Sequence, residues 1–158
     1  MSALEKFPRI TPFLWFNTNA EEAVDLYLSV FRNSRKLDVL YTNYDGGPMP
    51  KGSVLTIAFE LDGVPFTAMN GGPAFKFNEA ISLTVRCDSQ AEVDEYWAKL
   101  TADGGSEIQC GWLKDKFGLC WQIVPAKLTD LVKHPKAMLA MMTMKKFDIA
   151  ELERAAKE

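Results

Sequence analysis

A mixed α+β fold, built from two tandem βαβββ modules and C-terminal helices, is predicted from the sequence. Three observations lead to it: strand and helix patterns occur twice in the same order, helix-capping residues recur at one spacing, and helical character returns from Leu128 onward. We expect one domain over residues 1–158, with module one at about 8–72, module two at about 79–125 and a helical tail at 126–158.

The first module is predicted to contain a strand, a helix and three further strands. The apolar run "ITPFLWFN" predicts the first strand, and Thr18 or Asn19 follows it as a helix N-cap before apolar residues at helical spacing. "KLDVLYTNY" and "GSVLTIAFEL" predict two strands, because the Gly- and Pro-rich "DGGPMPKG" between them is typical of a loop. Asp62-Gly63 predicts a hairpin into "VPFTAM".

The second module repeats this order. "ISLTVRCD" predicts a strand, Ser89 and Glu92 predict a capping box at the start of a helix, and strand signals follow at "SEIQCGWL" and "LCWQIVP". The shift that brings Ile81 onto Ile10 also brings Ser89 onto Thr18. One offset therefore relates strand, cap and helix in the two modules. Between the last two strand signals, Lys114-Asp115-Lys116 predicts a solvated turn.

Composition and charge exclude several classes of partner. The 158 residues carry a formal net charge of −3 with dispersed Lys and Arg, so neither nucleic acid nor a membrane surface is expected as a partner. With no signal-peptide pattern and no long apolar run, we expect a cytoplasmic protein. Cys87, Cys110 and Cys120 fit neither a disulfide framework nor a zinc motif and are interpreted as core thiols.

Four segments carry a resemblance to a known family: "ITPFLWFNTNAEEAVDLY", "GGPAFKFNEAISLTV", "QAEVDEYWAKL" and "GWLKDKFGLCWQIVP". They resemble the PhnB-like family, also called the 3-demethylubiquinone-9 3-methyltransferase-type domain, within the vicinal oxygen chelate (glyoxalase/bleomycin resistance/dioxygenase) superfamily. The similarity extends into the tail "MMTMKKFDIAELERA". It implies a glyoxalase-like fold of two curved sheets, each half-enclosing a pocket, and a homodimer.

The resemblance also places the superfamily's metal-ligand positions on this chain. The last strand of module two offers Gln122 and its first strand Ser82; the internal repeat maps these onto Thr67 and onto Thr11 or the adjacent Pro12. Hydroxyls and an amide bring no anionic charge and hold zinc, nickel or ferrous iron weakly. We therefore expect no metal and no cofactor at these positions. Glu60, Glu107 and Gln109 could supply displaced ligands.

Strand alternation predicts which side chains share the pocket faces with these positions. The expected lining mixes aromatic walls with hydrogen-bonding groups, which suits a planar or aromatic small molecule. The linker "NGGPAFKFN" could carry two aromatic rings over a pocket or pack them in a dimer. The predicted pocket residues are Phe13, Trp15, Thr67, Met69, Ser82, Thr84, Cys120, Gln122, Phe75 and Phe77. Alternatively, Gln122 hydrogen-bonds a neighbouring strand and the pocket is filled by side chains.

Two classes of function stay open at this point. The first is a small-molecule binding protein whose cavity has lost the metal ligands. The second is an enzyme, either a metal-dependent lyase, isomerase or dioxygenase, or a methyltransferase as the family label implies. Neither "DGGP" nor "NGGP" leads into a helix that could hold a nucleotide-type methyl donor, which weighs against the methyltransferase. His134, the one histidine, lies away from the strand ends and is interpreted as a surface or packing residue.

Overall fold

The structure, a computed structural model, describes all residues from Met1 to Glu158 and confirms the α+β class with repeated βαβββ order. The chain separates into two compact units, Met1–Lys76 and Phe77–Glu158, so the single-domain expectation stays a prediction. None of the helices has the length and hydropathy of a membrane span. The elements of the first unit are α1 (Ala3–Lys6), β1 (Phe13–Phe16), α2 (Ala20–Val30), β2 (Arg35–Tyr41), β3 (Val54–Leu61) and β4 (Val64–Asn70).

The first unit is a four-stranded sheet with α2 packed on one face. The strand order is β1-β4-β3-β2, with β1 parallel to β4 and the other pairs antiparallel. Alternation along the strands sends one set of side chains into the core, where Phe59 and Phe66 stack at 5.4 Å between ring centroids. The buried side chains of α2 that complete this core are Ala20, Ala23, Val24, Tyr27 and Val30.

In the first unit, the hairpin between β3 and β4 is set by its own two residues, whereas the start of α2 is capped by a residue distant in the sequence. Asp62 and Gly63 both have positive φ, 48° and 77°, as a tight hairpin between β3 and β4 requires. Asn19 occupies the N-cap of α2 as predicted, but its side chain makes no capping hydrogen bond. The buried Asn70 at the end of β4 accepts that bond instead, from Ala20 N at 2.8 Å. A helix cap is thus supplied from 50 residues away.

The N-terminal segment adds α1, an element that the sequence patterns did not predict. Its first backbone amide, on Ala3, donates a hydrogen bond to the Asp38 carboxylate on β2. Asp38 lies where the pairing of β2 with β3 shifts register, between Lys36 opposite Phe59 and Val39 opposite Ile57. Such a bulge has two residues opposing one and re-aims side chains that strict alternation would place elsewhere. Lys36 and Val39 pair with Phe59 and Ile57, whose side chains face the core. The residue of β2 that has no partner of its own on β3 is therefore at 37–38.

The second unit repeats the sheet. Its elements are β5 (Leu83–Cys87), α3 (Gln90–Thr101), β6 (Ser106–Glu107), β7 (Trp112–Lys114), β8 (Cys120–Pro125), α4 (Leu128–Leu131), α5 (Pro135–Thr143) and α6 (Ile149–Ala155). The order β5-β8-β7-β6, with β5 parallel to β8, matches that of the first sheet. Thr84 lies opposite Gln122 as Phe13 lies opposite Thr67, so the predicted offset holds for the first strands of the two modules. It is wrong by one residue at the helix starts, because the N-cap that corresponds to Ser89 is Asn19 and not Thr18.

The segment "SEIQCGWL" forms two strands rather than one continuous strand. β6 ends at Glu107 and β7 begins at Trp112, because Cys110 and Gly111 turn the backbone with φ of 57° and 79°. A Cβ on Gly111 would lie 2.4 Å from the Phe147 ring, so only glycine fits this close approach. The turn therefore depends on a contact with the C-terminal tail.

The turn between β7 and β8 corrects the expectation of a fully solvated charged loop. Asp115 is 2% exposed. One carboxylate oxygen accepts from the backbone amides of Phe117 at 2.9 Å and Leu119 at 3.1 Å, and the other accepts from Trp121 Nε1 at 2.9 Å. A buried carboxylate needs such partners, and this one organises the turn. The spacing of Asp115 and Trp121 in "GWLKDKFGLCWQIVP" thus has a structural explanation.

The helical tail packs onto the second unit's own sheet and helix. Cys110 N and Gly111 N donate to the carbonyls of Met144 and Lys145, both at 2.8 Å. The Gln90 amide on α3 donates to Phe147 O and accepts from Ile149 N, each at 2.9 Å. These bonds make the tail part of the second unit.

Candidate functional site

A cavity of about 600 Å³ lies on the sheet face of the first unit that is opposite α2. It contains two of the predicted pocket residues, Phe13 on β1 and Thr67 on β4, which are direct partners in the parallel register. The volume falls in the range of small-molecule sites. The lining consists of Ser2, Ala3, Leu4, Phe7, Thr11, Phe13, Asp38, Val39, Leu40, Thr56, Ala58 and Thr67.

The cavity is mainly apolar, with hydroxyl groups spread over its lining. Phe13 is 56% exposed and Leu40 is 57% exposed, so a ring and an aliphatic side chain are available to a ligand. Thr11, Thr56 and Thr67 supply hydroxyls that can each donate and accept a hydrogen bond. A lining of this kind holds an apolar body by contact and orients it through a few polar bonds.

A second cavity of about 470 Å³ adjoins the first and is more polar. The two cavities share Ala3, Phe7 and Asp38, so α1 and the residue after it lie at their common boundary. Arg35 and Glu60, which line the second cavity, form an ion pair at 2.9 Å. This pairing raises the pKa of the Arg35 guanidinium through the hydrogen bond to Glu60.

Two predicted pocket residues, Trp15 and Phe75, contact each other outside the lining of the 600 Å³ cavity. Their ring centroids are 4.9 Å apart in an edge-to-face arrangement. The indole Nε1 donates to Gly72 O at 3.0 Å, and a Cβ on Gly71 would lie 2.3 Å from the indole. Trp15 is therefore held in place by the residues that follow β4. Met69 lies opposite Trp15 in the parallel register.

In the second unit, Gln122 is hydrogen-bonded to Ser82, which is itself one of the predicted pocket residues. Gln122 Nε2 donates to Ser82 Oγ at 2.9 Å, and Thr84 is the residue paired with Gln122 across β5 and β8. The amide is half-buried and Thr84 is exposed. Gln122 thus has the neighbouring-strand partner that was one of the two sequence-based alternatives. Phe77 is half-buried at the start of this unit.

Cys120, also on the predicted face, is fully buried. Burial raises the pKa of its thiol, and burial raises the pKa of the Cys87 thiol to about 12. Thiols with raised pKa values are poor nucleophiles, because only the thiolate attacks.

Lys114 on β7 pairs with Glu79, which precedes β5. Their hydrogen bond raises the pKa of the lysine and lowers that of the carboxyl. This ion pair lies at the surface.

The structure contains no group of three or more His, Cys, Asp or Glu side chains that could hold a metal ion. Two of the side chains considered as displaced ligands have protein partners: Glu60 pairs with Arg35, and Glu107 accepts from Trp97 Nε1 at 3.0 Å. His134 is exposed at the N-cap of α5.

The sequence profile of the 3-demethylubiquinone-9 3-methyltransferase family matches residues 8–124, which is most of the chain. The chain belongs to this PhnB-like family. The match ends at β8, so the similarity expected in the tail is not part of it. A PhnB protein from Bacillus cereus, which carries the same methyltransferase label, is 32% identical with a TM-score of 0.68; the alignment covers 75% of this chain and 100% of that one.

More distant solved structures show the fold alone. PA1353 from Pseudomonas aeruginosa is 22% identical with a TM-score of 0.59, over 75% of this chain and 97% of that one. The fosfomycin resistance protein FosX from Mesorhizobium loti is 14% identical with a TM-score of 0.56, over 80% and 97%. The likeness of the PhnB-like chain to PA1353 and FosX is a likeness of fold. A search of curated proteins found no match.

Sequence reasoning reached part of the lining of the 600 Å³ cavity in this PhnB-like chain and missed the rest. Thr56 and Ala58 could have been found, because the Asp62-Gly63 hairpin sets Ala58 opposite Thr67. Asp38 could not, because the bulge in β2 breaks the alternation that would have located it. Residues 2–7 carried one signal that was missed, the capping pair Ser2 and Glu5 at the start of α1.

Proposed function

We propose that this PhnB-like protein binds a planar or aromatic small molecule in a cavity that lacks the superfamily's metal ligands. The observation that carries the proposal is the 600 Å³ cavity, in which an exposed Phe13 ring and aliphatic side chains stand beside threonine hydroxyls. An aromatic ligand can stack or pack edge-on against Phe13 and hydrogen-bond to Thr67.

The chemistry of the side chains at the mapped metal-ligand positions supports the metal-free part of the proposal. Thr11, Thr67 and Ser82 offer neutral hydroxyls, and the Gln122 amide donates its N–H to Ser82. Transition-metal sites in proteins use imidazole, thiolate or carboxylate groups, and these four side chains do not fit such a site. Elemental analysis of protein purified without chelator tests this: near-stoichiometric zinc, nickel, manganese or iron after dialysis would favour the lyase or isomerase alternative.

Of the predicted residues outside the cavity, Trp15, Met69 and Phe75 are proposed as secondary ligand contacts within the first unit. Ser82, Thr84, Gln122 and Phe77 are proposed as ligand contacts of the second unit by itself, whereas the complete burial of Cys120 weighs against a contact there. A homodimer and a cytoplasmic location remain part of the proposal.

Methyl transfer is the activity that the family label names, and one feature of the fold weighs against it. The residues after Asp45-Gly46-Gly47 lead into β3, and those after Gly71-Gly72 lead into β5. A methyl donor of the nucleotide type commonly sits where a glycine-rich turn opens a helix. Neither glycine pair leads into a helix.

A neutral aromatic probe tests the proposed site directly. Naphthalen-1-ylmethanol should bind in calorimetric or ligand-observed NMR titrations, and Phe13→Ala should weaken it by about tenfold, since an aromatic pair with its buried area contributes about 1–2 kcal/mol. Ile10→Ala is the matched control, because Ile10 is 88% exposed and is not part of the lining. Unchanged affinity in Phe13→Ala would show that the probe binds outside this cavity. Failure of the alcohol and of its charged naphthalene analogues to bind at millimolar concentration would refute the proposal.

A further inference from the structure

Asp38 is the only charged residue in the lining of the 600 Å³ cavity. The remaining lining residues are apolar or carry hydroxyl groups, and no Lys, Arg or His is among them. A single carboxylate beside an apolar surface sets up a negative potential that favours cations and disfavours anions. The charge of the ligand is therefore a property on which the cavity can discriminate.

The backbone directs this carboxylate to the cavity side of the sheet. Regular alternation from Lys36, which faces the α2 side, would return Asp38 to that same side. The register shift between Lys36 and Val39 interrupts the alternation, and Asp38 lines the cavity together with Leu40. The bulge in β2 thus brings a carboxylate to the lining of the cavity.

The partners of Asp38 leave its charge available. Its Oδ2 accepts a hydrogen bond from Ala3 N, which is an uncharged donor. The cationic groups of the residues that line the adjoining cavity are the N-terminal ammonium of Met1, Lys6 and Arg35, and Arg35 is paired with Glu60 at 2.9 Å. Lys6 is on the exposed side of α1, where solvent screens it. No basic side chain forms an ion pair with Asp38.

We propose that the ligand of this cavity is a planar or aromatic molecule bearing a protonated amine, recognised by the Asp38 carboxylate. This inference rests on the proposed function and adds the charge of the ligand. The apolar lining holds the ring system, and Asp38 accepts a charge-assisted hydrogen bond from the ammonium group. A carboxylate-bearing analogue of the same shape is rejected by like-charge repulsion.

Three naphthalene compounds of similar shape test the proposal: naphthalen-1-ylmethanamine, cationic at pH 7; naphthalen-1-ylmethanol, neutral; and 1-naphthoate, anionic. For the unmodified chain, the amine should bind about fivefold tighter than the alcohol, and the naphthoate about fivefold weaker, as expected for a solvent-accessible carboxylate. The preference for the amine should shrink when the salt concentration is raised from 0.05 to about 0.5 M, because ions screen the pair.

Asp38→Asn should abolish the discrimination while keeping an oxygen that can accept from Ala3 N. Asp25→Asn is the matched control: it removes the same charge from an exposed residue of α2, on the other face of the sheet, and should leave the order of affinities unchanged. Circular dichroism of both variants checks that the fold is retained.

The outcomes separate the two proposals. If none of the three compounds binds, the proposed function fails. Two results would overturn the inference about Asp38 without affecting the proposed function. The first is that all three compounds bind the unmodified chain equally, and the second is that the preference for the amine persists in Asp38→Asn. The salt dependence of the unmodified chain provides a test that does not depend on the variant folding.

Discussion

The buried carboxylate of Asp115 allows a quantitative test of how the turn between β7 and β8 is stabilised. Its Oδ1 accepts from the amides of Phe117 and Leu119, and its Oδ2 accepts from Trp121 Nε1. Asp115→Asn keeps the shape of the side chain and an oxygen for the two backbone amides. It places an NH₂ group against the indole N–H, so two donors face each other in a site that is 2% exposed.

The expected cost follows from these contacts. Asp115→Asn loses a hydrogen bond to a charged acceptor, about 1.5–3 kcal/mol, and leaves buried donors unsatisfied. We expect the free energy of unfolding to fall by roughly 2–4 kcal/mol. For a chain of this length, that lowers Tm by roughly 5–15 °C.

Urea denaturation followed by far-UV circular dichroism and tryptophan fluorescence measures the change, and coincidence of the two probes checks two-state behaviour. Trp121→Phe removes the indole donor, so Asp115→Asn should cost about 1–2 kcal/mol less in that background. Asp103→Asn is the control, since Asp103 is exposed, with a φ of 55° that Asn also tolerates. A cost below about 0.5 kcal/mol for Asp115→Asn, or an equal cost in both backgrounds, would refute the reasoning.

Two further predictions concern the second unit. Gly111→Ala should destabilise the protein by roughly 2–4 kcal/mol, because its Cβ would lie 2.4 Å from the Phe147 ring at a φ of +79°. Gly118→Ala is the control: its φ is +86°, but the space around the Cβ is open, so it should cost only about 1 kcal/mol. Equal losses in urea midpoint for the two variants would contradict the contact argument. Cys87, whose pKa burial raises to about 12 from the ordinary thiol value of 9.0, should resist iodoacetamide at pH 8 in the folded protein and react once unfolded, as read by mass spectrometry. Because the folded pKa is the higher one, this thiol's contribution to stability should be complete below about pH 9 and should decline between about pH 9 and 12. Rapid labelling of Cys87 in the folded protein would contradict its burial.

Local signals predicted the regular elements well. The Gly- and Pro-rich "DGGPMPKG" separated β2 from β3, the capping pair Ser89 and Glu92 located α3, and Asp62-Gly63 located the first hairpin. Each depends on residues within a few positions of one another, where backbone preference and side-chain periodicity act directly. Patterns failed where a distant contact decides the outcome. Asn70 caps α2 across the sheet, and the "SEIQCGWL" segment turns at Gly111 because the Phe147 ring packs there.

The residues of the candidate site likewise fall into those that local patterns predicted and those that depend on distant contacts. The repeat and the strand parity predicted that Phe13 and Thr67 would share a face, and the cavity contains both. The β2 bulge was outside the reach of any pattern, because it interrupts the alternation. The N-terminal helix had the capping pair Ser2 and Glu5, but its four residues show no apolar periodicity.

The sequence by itself determined the α+β class, the twofold βαβββ order and the neutral side chains at Thr11, Thr67, Ser82 and Gln122. These properties are carried by residue identity and short-range spacing. Only the tertiary structure decided that Gln122 bonds to Ser82, that Asp115 is buried as an acceptor, and that Asp38 faces the cavity. Each of these depends on which strands pair and in what register, and that choice is made by the free energy of the whole packed sheet.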